Sequence, residues 1–365
     1  MRRSTRRWVL YFSALSAVTL SSCGGASPHA LGANSKNTDP TVKPSTTIAP
    51  TTTTSSTTTT TQPPHLISGA LERQLATPGP LTPFGSPTVP NQGVWTPAGR
   101  LVNGIPAVYE TKLVPPGGTQ PAGVAWMDTG LLSARLYSGS ISPGGGPYKY
   151  TAPIQPSQAA SVVAAFNGGF IMNVAHGGYY TQGRIVVPLV TGAASLVIYS
   201  DGSVNIGAWG TDVTMTPSVV SVRQNLVPLV ANGQPTTQAA TSNWMSWGAT
   251  CGVNTCTGPG IEHQWRSGLG ITADGALVYV TGPSLDPLQL AQLLVRAGAI
   301  RGMQLDINPY WTVLVTYDPP SPGGLAAPAN GTKLLAATEQ GPQTFFESWW
   351  ARDFITMSAR PTPTN

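Results

Sequence analysis

The chain has 365 residues, of which 41% are hydrophobic and only 9% are charged, with 19 Lys and Arg against 14 Asp and Glu. Four of those arginines precede Cys23 and no acidic residue does, which leaves 15 basic against 14 acidic residues in the remainder. This near balance removes the electrostatic argument for a nucleic-acid-binding protein, and no nucleic-acid partner is expected.

The N-terminus has the pattern of a bacterial export signal. Four arginines within residues 2–7 precede an apolar run, Trp8 to Leu20, that is too short to span a bilayer as a stable helix. The following Leu20-Ser21-Ser22-Cys23 resembles a lipobox, in which Cys23 is acylated and becomes the first mature residue. Residues 1–22 are therefore predicted to be a lipoprotein signal peptide, although an ordinary or twin-arginine signal stays an alternative. We expect an extracytoplasmic protein that is lipid-anchored in the cell membrane.

A low-complexity segment follows the predicted anchor. Residues 51–61 are almost pure Thr and Ser, and such a stretch buries too little apolar surface to offset the entropy of ordering it. The predicted organisation is a disordered Thr/Pro/Ser-rich tether over residues 23–64, a transitional segment over 65–90, one catalytic-type domain over 91–358 and a tail over 359–365.

In the sequence of the predicted domain, short apolar runs alternate with residues that are typical of turns. Asp201-Gly202 and Asp274-Gly275 each lie between apolar runs, which predicts two β-hairpins. Helices are predicted for the Ala-rich stretch 155–164, with Ser157 as a possible cap, and for 286–298, which begins with Asp286-Pro287. Strands are predicted at 107–113, 123–127, 132–137, 196–199, 276–280 and 311–317, and helices are expected to lead into strands at 163–166 and 303–307. The predicted fold class is α+β, with mixed, mostly antiparallel sheets and a few packed helices.

Cysteine usage agrees with export. After Cys23 the chain contains only Cys251 and Cys256, in a Gly/Asn/Thr-rich context that suits a disulfide in an oxidising compartment. Half of a metal site is the competing interpretation, but no second cysteine pair or His-x-x-His motif is present to complete it. No metal site and no cofactor are predicted, and a divalent cation near the active site is left open.

Two strand ends carry polar groups of the kind that bind ligands. Asn167-Gly168-Gly169 follows one apolar run and Asp306-Ile307-Asn308 follows another. Glycine at a strand end lets the backbone approach a ligand closely, and polar groups held by a rigid sheet are common binding and catalytic residues. A pair of tight turns with hydrogen-bonding Asn and Asp is the alternative interpretation of either motif alone.

The combination of motifs resembles the phosphodiester glycosidase family between Ala107 and Met357. That family carries an Asn-Gly-Gly-Phe segment, matched by Asn167–Phe170, and an Arg-x-x-x-Gly strand before an Asp-Gly hairpin, matched by Arg266–Gly270. A helix follows, and then a strand ends in Leu-Asp-Gly-Gly-Gly-Ser, of which Leu305-Asp306 matches the beginning.

The chain departs from the family after that aspartate. Ile307-Asn308-Pro309 replaces the glycine-rich tail. This variant is similar to exported actinobacterial members of the family, which implies a subfamily with a differently shaped pocket and another substrate, or loss of activity.

The resemblance implies roles for individual residues. Asp306 is predicted to be the catalytic base, nucleophile or stabiliser of an oxocarbenium-like transition state, and Arg266 the phosphate ligand. Asn167, with the amides of Gly168 and Gly169, is predicted to hold sugar hydroxyls or a phosphate oxygen. Further candidates for substrate binding are Arg184, His176 and Asn308. The tryptophans at 209, 244, 247, 265, 311, 349 and 350 suggest a sugar-stacking platform, although core packing accounts for most of them.

The leading functional hypothesis is a hydrolase that cleaves glycosyl-1-phosphodiester linkages in cell-wall or surface glycans. Phosphate leaves as a stable anion, so the reaction needs less help from a second, acidic carboxyl group than cleavage of a sugar–sugar bond does. A catalytically inactive wall-glycan-binding lipoprotein of the same fold is the alternative. A peptidoglycan hydrolase or transferase is a third class, weakened by the absence of a visible nucleophilic Ser or Cys with a partner.

Overall fold

The computed structural model describes residues 74–85, 87–241, 247 and 263–361, all of which belong to one compact unit, Thr59–Asn365. The predicted signal peptide, the Cys23 anchor, the tether and the Cys251–Cys256 disulfide lie outside the described residues, and they stay predictions.

The described residues form strands throughout, with only short helices. The strands are β1 (Thr96–Pro97), β2 (Leu101–Val102), β3 (Ile105–Pro106), β4 (Val108–Leu113), β5 (Ala122–Met127), β6 (Leu132–Tyr137), β7 (Val162–Asn167), β8 (Tyr179–Thr181), β9 (Arg184–Val187), β10 (Ala194–Tyr199), β11 (Val204–Ala208), β12 (Val219–Gln224), β13 (Val230–Ala231), β14 (Gln234–Pro235), β15 (Gln264–Thr272), β16 (Leu277–Leu285), β17 (Ala299–Ile307), β18 (Leu314–Tyr317), β19 (Gly331–Lys333) and β20 (Phe354–Ala359). The α-helices are α1 (Pro156–Ala159), α2 (Thr237–Thr241) and α3 (Pro287–Arg296), and short 3₁₀ turns span Pro328–Asn330 and Thr344–Phe346.

Three sheets build the domain. The first has eight strands in the order β1-β4-β5-β16-β15-β17-β13-β14, the second has the order β11-β10-β12-β8-β9, and the third has the order β19-β18-β7-β20-β6. Strands β2 and β3 form a separate hairpin. All strand pairs in the described residues are antiparallel. The fold is therefore mostly antiparallel β with few helices, and it is more β-rich than the predicted α+β class.

Both predicted hairpins are present. Strands β10 and β11 pair around Asp201-Gly202, and β15 and β16 pair around Asp274-Gly275. Gly202 and Gly275 both have positive φ, as tight hairpin turns require.

Helix α3 begins as its sequence predicts. Asp286 is the N-cap, and its Oδ1 accepts a hydrogen bond from the Gln289 N–H (2.6 Å), while Gln289 Oε1 accepts one from the Asp286 N–H (3.1 Å). Pro287 occupies the first helical turn, where a missing N–H costs nothing. The leucines of α3 pack against the outer face of the eight-stranded sheet.

The first predicted helix is much shorter than expected. Helix α1 has four residues with Gln155, and not Ser157, at its N-cap, and residues 162–167 form strand β7 instead. The β-branched pair Val162-Val163 favours a strand, and both side chains are buried in the sheet. Apolar clusters lie between the three sheets, beneath α3 and on the outer face of the third sheet.

Part of the predicted transitional segment is packed on the domain. Leu75, Leu81 and Phe84 contact the apolar cluster beneath α3. The Arg296 guanidinium lies 3.9 Å from the Phe84 ring centroid. The helices of the described residues are all too short or too polar to cross a membrane.

Candidate functional site

The predicted polar tips meet at one place, where strands of all three sheets end. Phe354, at the start of β20, pairs with Asn167 at the end of β7. Ser267 of β15 links this point to Asp306 of β17, because Asn167 Nδ2 donates to Ser267 Oγ (3.0 Å) and the Asp306 N–H donates to the same oxygen (3.1 Å). The two motifs that stand far apart in the sequence are therefore joined by one serine hydroxyl.

Asp306 lies at an irregularity in its strand. Ile307 pairs with Arg266 and Gln304 pairs with Gly268. These two pairs are three residues apart along β17 but only two residues apart along β15, so β17 contains one extra residue. Such a bulge re-aims the side chains that it contains, and bulges are frequent beside active sites. Ile307 packs in the cluster beneath α3, whereas the Asp306 carboxylate lies beside Arg352.

The Asp306 carboxyl is nearly sealed from solvent, with 2% exposure. Burial raises its pKa to about 7, against the opposing effects of the nearby Arg352 and of the Ile307 N–H, which donates to Oδ1 (2.8 Å). The Arg352 Nη1 atom lies 3.5 Å from Asp306 Oδ2. A carboxyl with a pKa near neutral can both accept and release a proton at ordinary pH, as a general acid or base must.

Arg352 is held mainly by an aromatic ring. Its guanidinium carbon lies 4.4 Å from the ring centroid of Trp311, and its Nη1 is buried with no hydrogen-bond partner among the residues that the structure describes. This arginine lies outside all of the predicted site motifs.

A second ion pair, Arg223–Asp353, is buried beside the site. Arg223 of β12 donates from Nε to Asp353 Oδ2 (2.8 Å) and from Nη2 to Asp353 Oδ1 (3.1 Å), and both side chains are at most 1% exposed. The remaining donors of Arg223 bond the carbonyls of Gln224 and Phe170. Asp353 is therefore neutralised by a bidentate partner, and Asp306 is the carboxyl of the two that stays available.

The Arg223–Asp353 ion pair leaves no room for a side chain at Gly168 or Gly169. A Cβ atom on Gly168 would lie 2.0 Å from Asp353 Oδ2, and one on Gly169 would lie 2.9 Å from Arg223 Nη2. The Gly168 N–H donates to the Asp353 carbonyl (2.9 Å), so this amide is occupied by the protein. The two glycines thus let the β7 end approach the ion pair closely.

Replacing Gly168 by alanine should separate the Arg223–Asp353 pair and destabilise the fold by about 1–3 kcal/mol. Thermal unfolding of the purified variant measures this. The matched control is Gly79→Ala, because a Cβ there meets nothing within 4 Å. An unchanged melting temperature in the Gly168 variant would contradict the close-approach explanation.

The Asn167 side chain is committed within the protein. Its Oδ1 accepts from the Tyr279 hydroxyl (2.7 Å), and its Nδ2 donates to the Gly168 carbonyl (2.7 Å) as well as to Ser267. Burial raises the Tyr279 pKa, so this hydroxyl stays protonated and able to donate. The geometry therefore favours Asn167 as a framework residue beside Asp306.

Arg266 also bonds the protein itself. This fully buried side chain donates from Nε to the Leu285 carbonyl (2.7 Å) and from Nη1 to the Trp247 carbonyl (2.9 Å) and Gln304 Oε1 (3.0 Å). Its predicted phosphate contact stays a prediction, and these bonds favour a structural role instead.

The other predicted binding residues lie at varied positions. Arg184 is exposed on the edge strand β9, where it donates to the carbonyls of Gly145 and Pro147. His176 is exposed in the loop between β7 and β8. Asn308 uses its Oδ1 to accept from the N–H groups of Tyr310 and Trp311 (3.0 and 3.2 Å), which closes the turn after β17.

Sequence reasoning missed Arg223, Arg352 and Asp353. One signal was available for Arg223, since an arginine inside the apolar strand Val219–Gln224 must be buried and paired. Arg352 and Asp353 precede a strand but lie about 45 residues beyond the last recognised motif, and nothing local indicates their partners. No group of three or more His, Cys, Asp or Glu side chains arranged to hold a metal occurs in the described part of the chain.

Comparison with known proteins gives a match to one family model. The family model for phosphodiester glycosidases matches residues 160–306. No curated protein matches the chain.

Solved structures give low-similarity matches. The catalytic domain of zebrafish N-acetylglucosamine-1-phosphodiester alpha-N-acetylglucosaminidase, auto-inhibited by its pro-peptide, is 15% identical, with 73% of this chain and 88% of that chain covered and a TM-score of 0.42. A hypothetical protein from Synechocystis is 12% identical over 73% of this chain and 64% of that chain, with a TM-score of 0.36. A protein from Burkholderia pseudomallei K96243 described as exported is 11% identical over 66% and 74% of the two chains, with a TM-score of 0.31.

The matched range contains the Asn-Gly-Gly tip, Arg223, Arg266 and Asp306, whereas Arg352 and Asp353 lie beyond it. The part of the chain that the family model matches, residues 160–306, is similar to the phosphodiester glycosidases.

Proposed function

We propose that the protein is an extracytoplasmic hydrolase that cleaves the bond between an anomeric carbon and a phosphodiester oxygen, in glycosyl-1-phosphodiesters of cell-wall or surface glycans. The observation that carries the proposal is the Asp306–Arg352 pair: a buried carboxyl with a pKa of about 7, 3.5 Å from a guanidinium nitrogen that lacks a hydrogen-bond partner in the described residues.

Arg352 is the proposed phosphate ligand. Arginine matches phosphate oxygens through its planar fork, and Arg352 Nη1, whose 3.5 Å contact with Asp306 is an ion pair and not a hydrogen bond, can donate to one of them. Arg266 and Arg223 are less available, because their hydrogen bonds to carbonyl and carboxylate oxygens hold them in place. The proposal therefore transfers the predicted role of Arg266 to Arg352.

Asp306 acts in its ionised form, as nucleophile or as base for water. In the net reaction, water adds its oxygen to the anomeric carbon, the bond from that carbon to the bridging oxygen breaks, and a phosphomonoester leaves with the electron pair. Because the leaving phosphate is a stable anion, one available carboxyl with a guanidinium beside it suffices for the chemistry. The neutralised Asp353 then has a structural role.

Replacing Arg352 by alanine should lower kcat/KM by about 10²–10³-fold, since an electrostatic contact to the developing phosphate charge is lost. The assay measures sugar release from methyl diesters of α-glycosyl 1-phosphates, with glucose, mannose and N-acetylglucosamine as the sugars. The full chain is used, purified in detergent.

Arg296→Ala is the matched control for this variant. Arg296 also stacks on an aromatic ring, that of Phe84 at 3.9 Å, and bonds the carbonyls of Thr82 and Pro83, but it belongs to α3 and contacts no carboxylate of the site. We expect its removal to cost stability and leave kcat/KM within about twofold of wild type. Equal losses in both variants would show that Arg352 acts through packing alone.

The alternative of an inactive glycan-binding protein has one observation in its favour. The turn of Asn308, Tyr310 and Trp311 replaces the glycine-rich tail of the family, and it brings Trp311 onto Arg352. Binding of the diesters to wild type without any product after long incubation would establish this alternative.

A further inference from the structure

A second cleft lies between two of the sheets, apart from Asp306. It has a volume of about 380 Å³, within the range of small-ligand pockets, and it is bounded by the edge strand β6 of the third sheet and by strands β8, β10 and β12 of the second. Its lining combines the aromatic residues Tyr150 and Tyr199 with hydroxyl and amide groups; the residues that matter here are Arg135, Tyr150, Thr181, Gln182, Ser200 and Ser221.

Arg135 lines this cleft, and two further exposed cations, Lys149 and Arg184, lie one and two residues along the chain from the lining residues Tyr150 and Gln182. The Arg135 guanidinium lies 4.3 Å from the Tyr150 ring centroid, and Lys149 Nζ lies 5.3 Å from the same ring. Arg184 lies 5.2 Å from the ring of Tyr148, in the same short segment. In a chain with 9% charged residues, this is a marked local concentration of positive charge.

The surrounding structure holds these groups in place. The Lys149 N–H donates to Gln182 Oε1 (2.9 Å), which ties the segment to the turn after β8. Arg184 donates to the Gly145 and Pro147 carbonyls on the other side of that segment. The acidic residue in the cleft lining is Asp201, whose Oδ1 already accepts from the Ser203 N–H (2.9 Å) and Ser203 Oγ (2.6 Å). The balance of charge around the cleft is therefore positive.

We propose that this cleft binds an anionic glycan, namely a sugar chain that bears phosphate groups. The cations would face the phosphates, while the hydroxyl and amide groups of the lining would bond sugar hydroxyls. A single-stranded nucleic acid fits less well, because it is gripped by stacking on free aromatic faces and here Arg135, Lys149 and Arg184 lie over the tyrosine rings. The lining shares no residue with the proposed catalytic centre, so this is a second, distinct site.

The test measures binding to dextran phosphate, with neutral dextran of the same length for comparison. The full chain carries Asp306→Asn, so that turnover plays no part. We expect binding to dextran phosphate only, weakened by salt, and about tenfold weaker when Arg135, Lys149 and Arg184 are all replaced by glutamine. Arg135→Gln alone should weaken it a few-fold. Its matched control is Lys112→Gln, an exposed cation on β4, which should leave binding unchanged.

Three results would overturn the proposal. The triple variant could bind dextran phosphate as tightly as its parent chain, or Arg352→Ala could abolish the binding instead. An oligonucleotide of the same charge could also bind as tightly as dextran phosphate. The last of these would identify a general polyanion surface. A failure of the proposed hydrolysis would appear separately, as absence of turnover by wild type, and it would leave this binding assay unaffected.

Discussion

Replacing Asp306 by asparagine is expected to lower kcat by about 10³-fold or more, with the fold retained. The amide keeps the size of the carboxyl but can act neither as nucleophile nor as base, and the contribution of such a group is typically 10²–10⁴-fold. The measurement is the initial rate of sugar release from the reactive diester, with circular dichroism to check folding. Activity within tenfold of wild type would remove Asp306 from the mechanism.

The pH dependence gives this variant a second signature. Because the proposed mechanism uses the ionised form of Asp306, whose pKa is about 7, wild-type kcat/KM should rise as the pH increases through about 7. Stability should move in the opposite direction. A carboxyl whose pKa is raised on folding stabilises the fold fully below its unfolded pKa, near 4, and this contribution is lost as the pH rises through about 7. In Asp306→Asn, stability should therefore fall less steeply between about pH 4 and 7.

Glu110 provides the matched control for the stability effect. Burial raises its pKa to about 7 as well, but it lies on β4, which β5, β16 and β15 separate from β17. Glu110→Gln should likewise flatten the dependence of stability on pH while leaving the rate of hydrolysis unchanged. A pH–rate profile altered by Glu110→Gln would contradict the assignment of the ascending limb to Asp306.

Replacing Asp353 by alanine is expected to destabilise the domain by about 3–5 kcal/mol, the largest stability effect in this account. The change leaves the Arg223 guanidinium buried at 1% exposure without its bidentate partner. Denaturant unfolding of the purified chain measures the loss, and a drop in activity should accompany it because the Asp353 carboxylate packs against Gly168 at the end of β7, beside Asp306.

Two comparisons sharpen this prediction. The double variant Arg223→Met with Asp353→Leu should recover part of the lost stability, because it leaves no unpaired buried charge. His263→Ala removes an exposed contact to Asp286 (3.8 Å) and should change stability by less than about 0.5 kcal/mol. A loss below about 1 kcal/mol in Asp353→Ala would show that the buried pair does not hold the site together.

Local signals in the sequence predicted the parts of the fold that depend on neighbouring residues. Asp286 and Pro287 mark the start of α3 by capping chemistry, and Asp274-Gly275 marks a hairpin, so both were predictable from a few residues. The 155–164 helix failed because the Ala-rich stretch ends in Val162-Val163, which the third sheet takes up as β7. The strand predicted at 311–317 begins only at Leu314, since the Asn308 side chain closes a turn first.

Some residues of the candidate site likewise have a local signal in the sequence, and others have none. Asp306 and Asn167 were predictable, because each is a polar residue at the end of an apolar strand and belongs to a family motif. The assignment of Arg266 depended on its type and motif alone, and its side chain is bonded to Leu285, Trp247 and Gln304. Arg352 becomes a candidate only when β20 is placed beside β7, a pairing between residues almost 190 positions apart. Such long-range pairings carry no local signal.

Cleavage at the anomeric carbon is tested most directly by hydrolysis of a reactive glycosyl-1-phosphodiester in water enriched in oxygen-18. Attack at the anomeric carbon leaves the bridging oxygen on phosphate, so the phosphomonoester product should carry no label when analysed by mass spectrometry. Asp306→Asn should form this product at least about 10³-fold more slowly. Label in the phosphomonoester would show attack at phosphorus, and the protein would then not be a glycosidase.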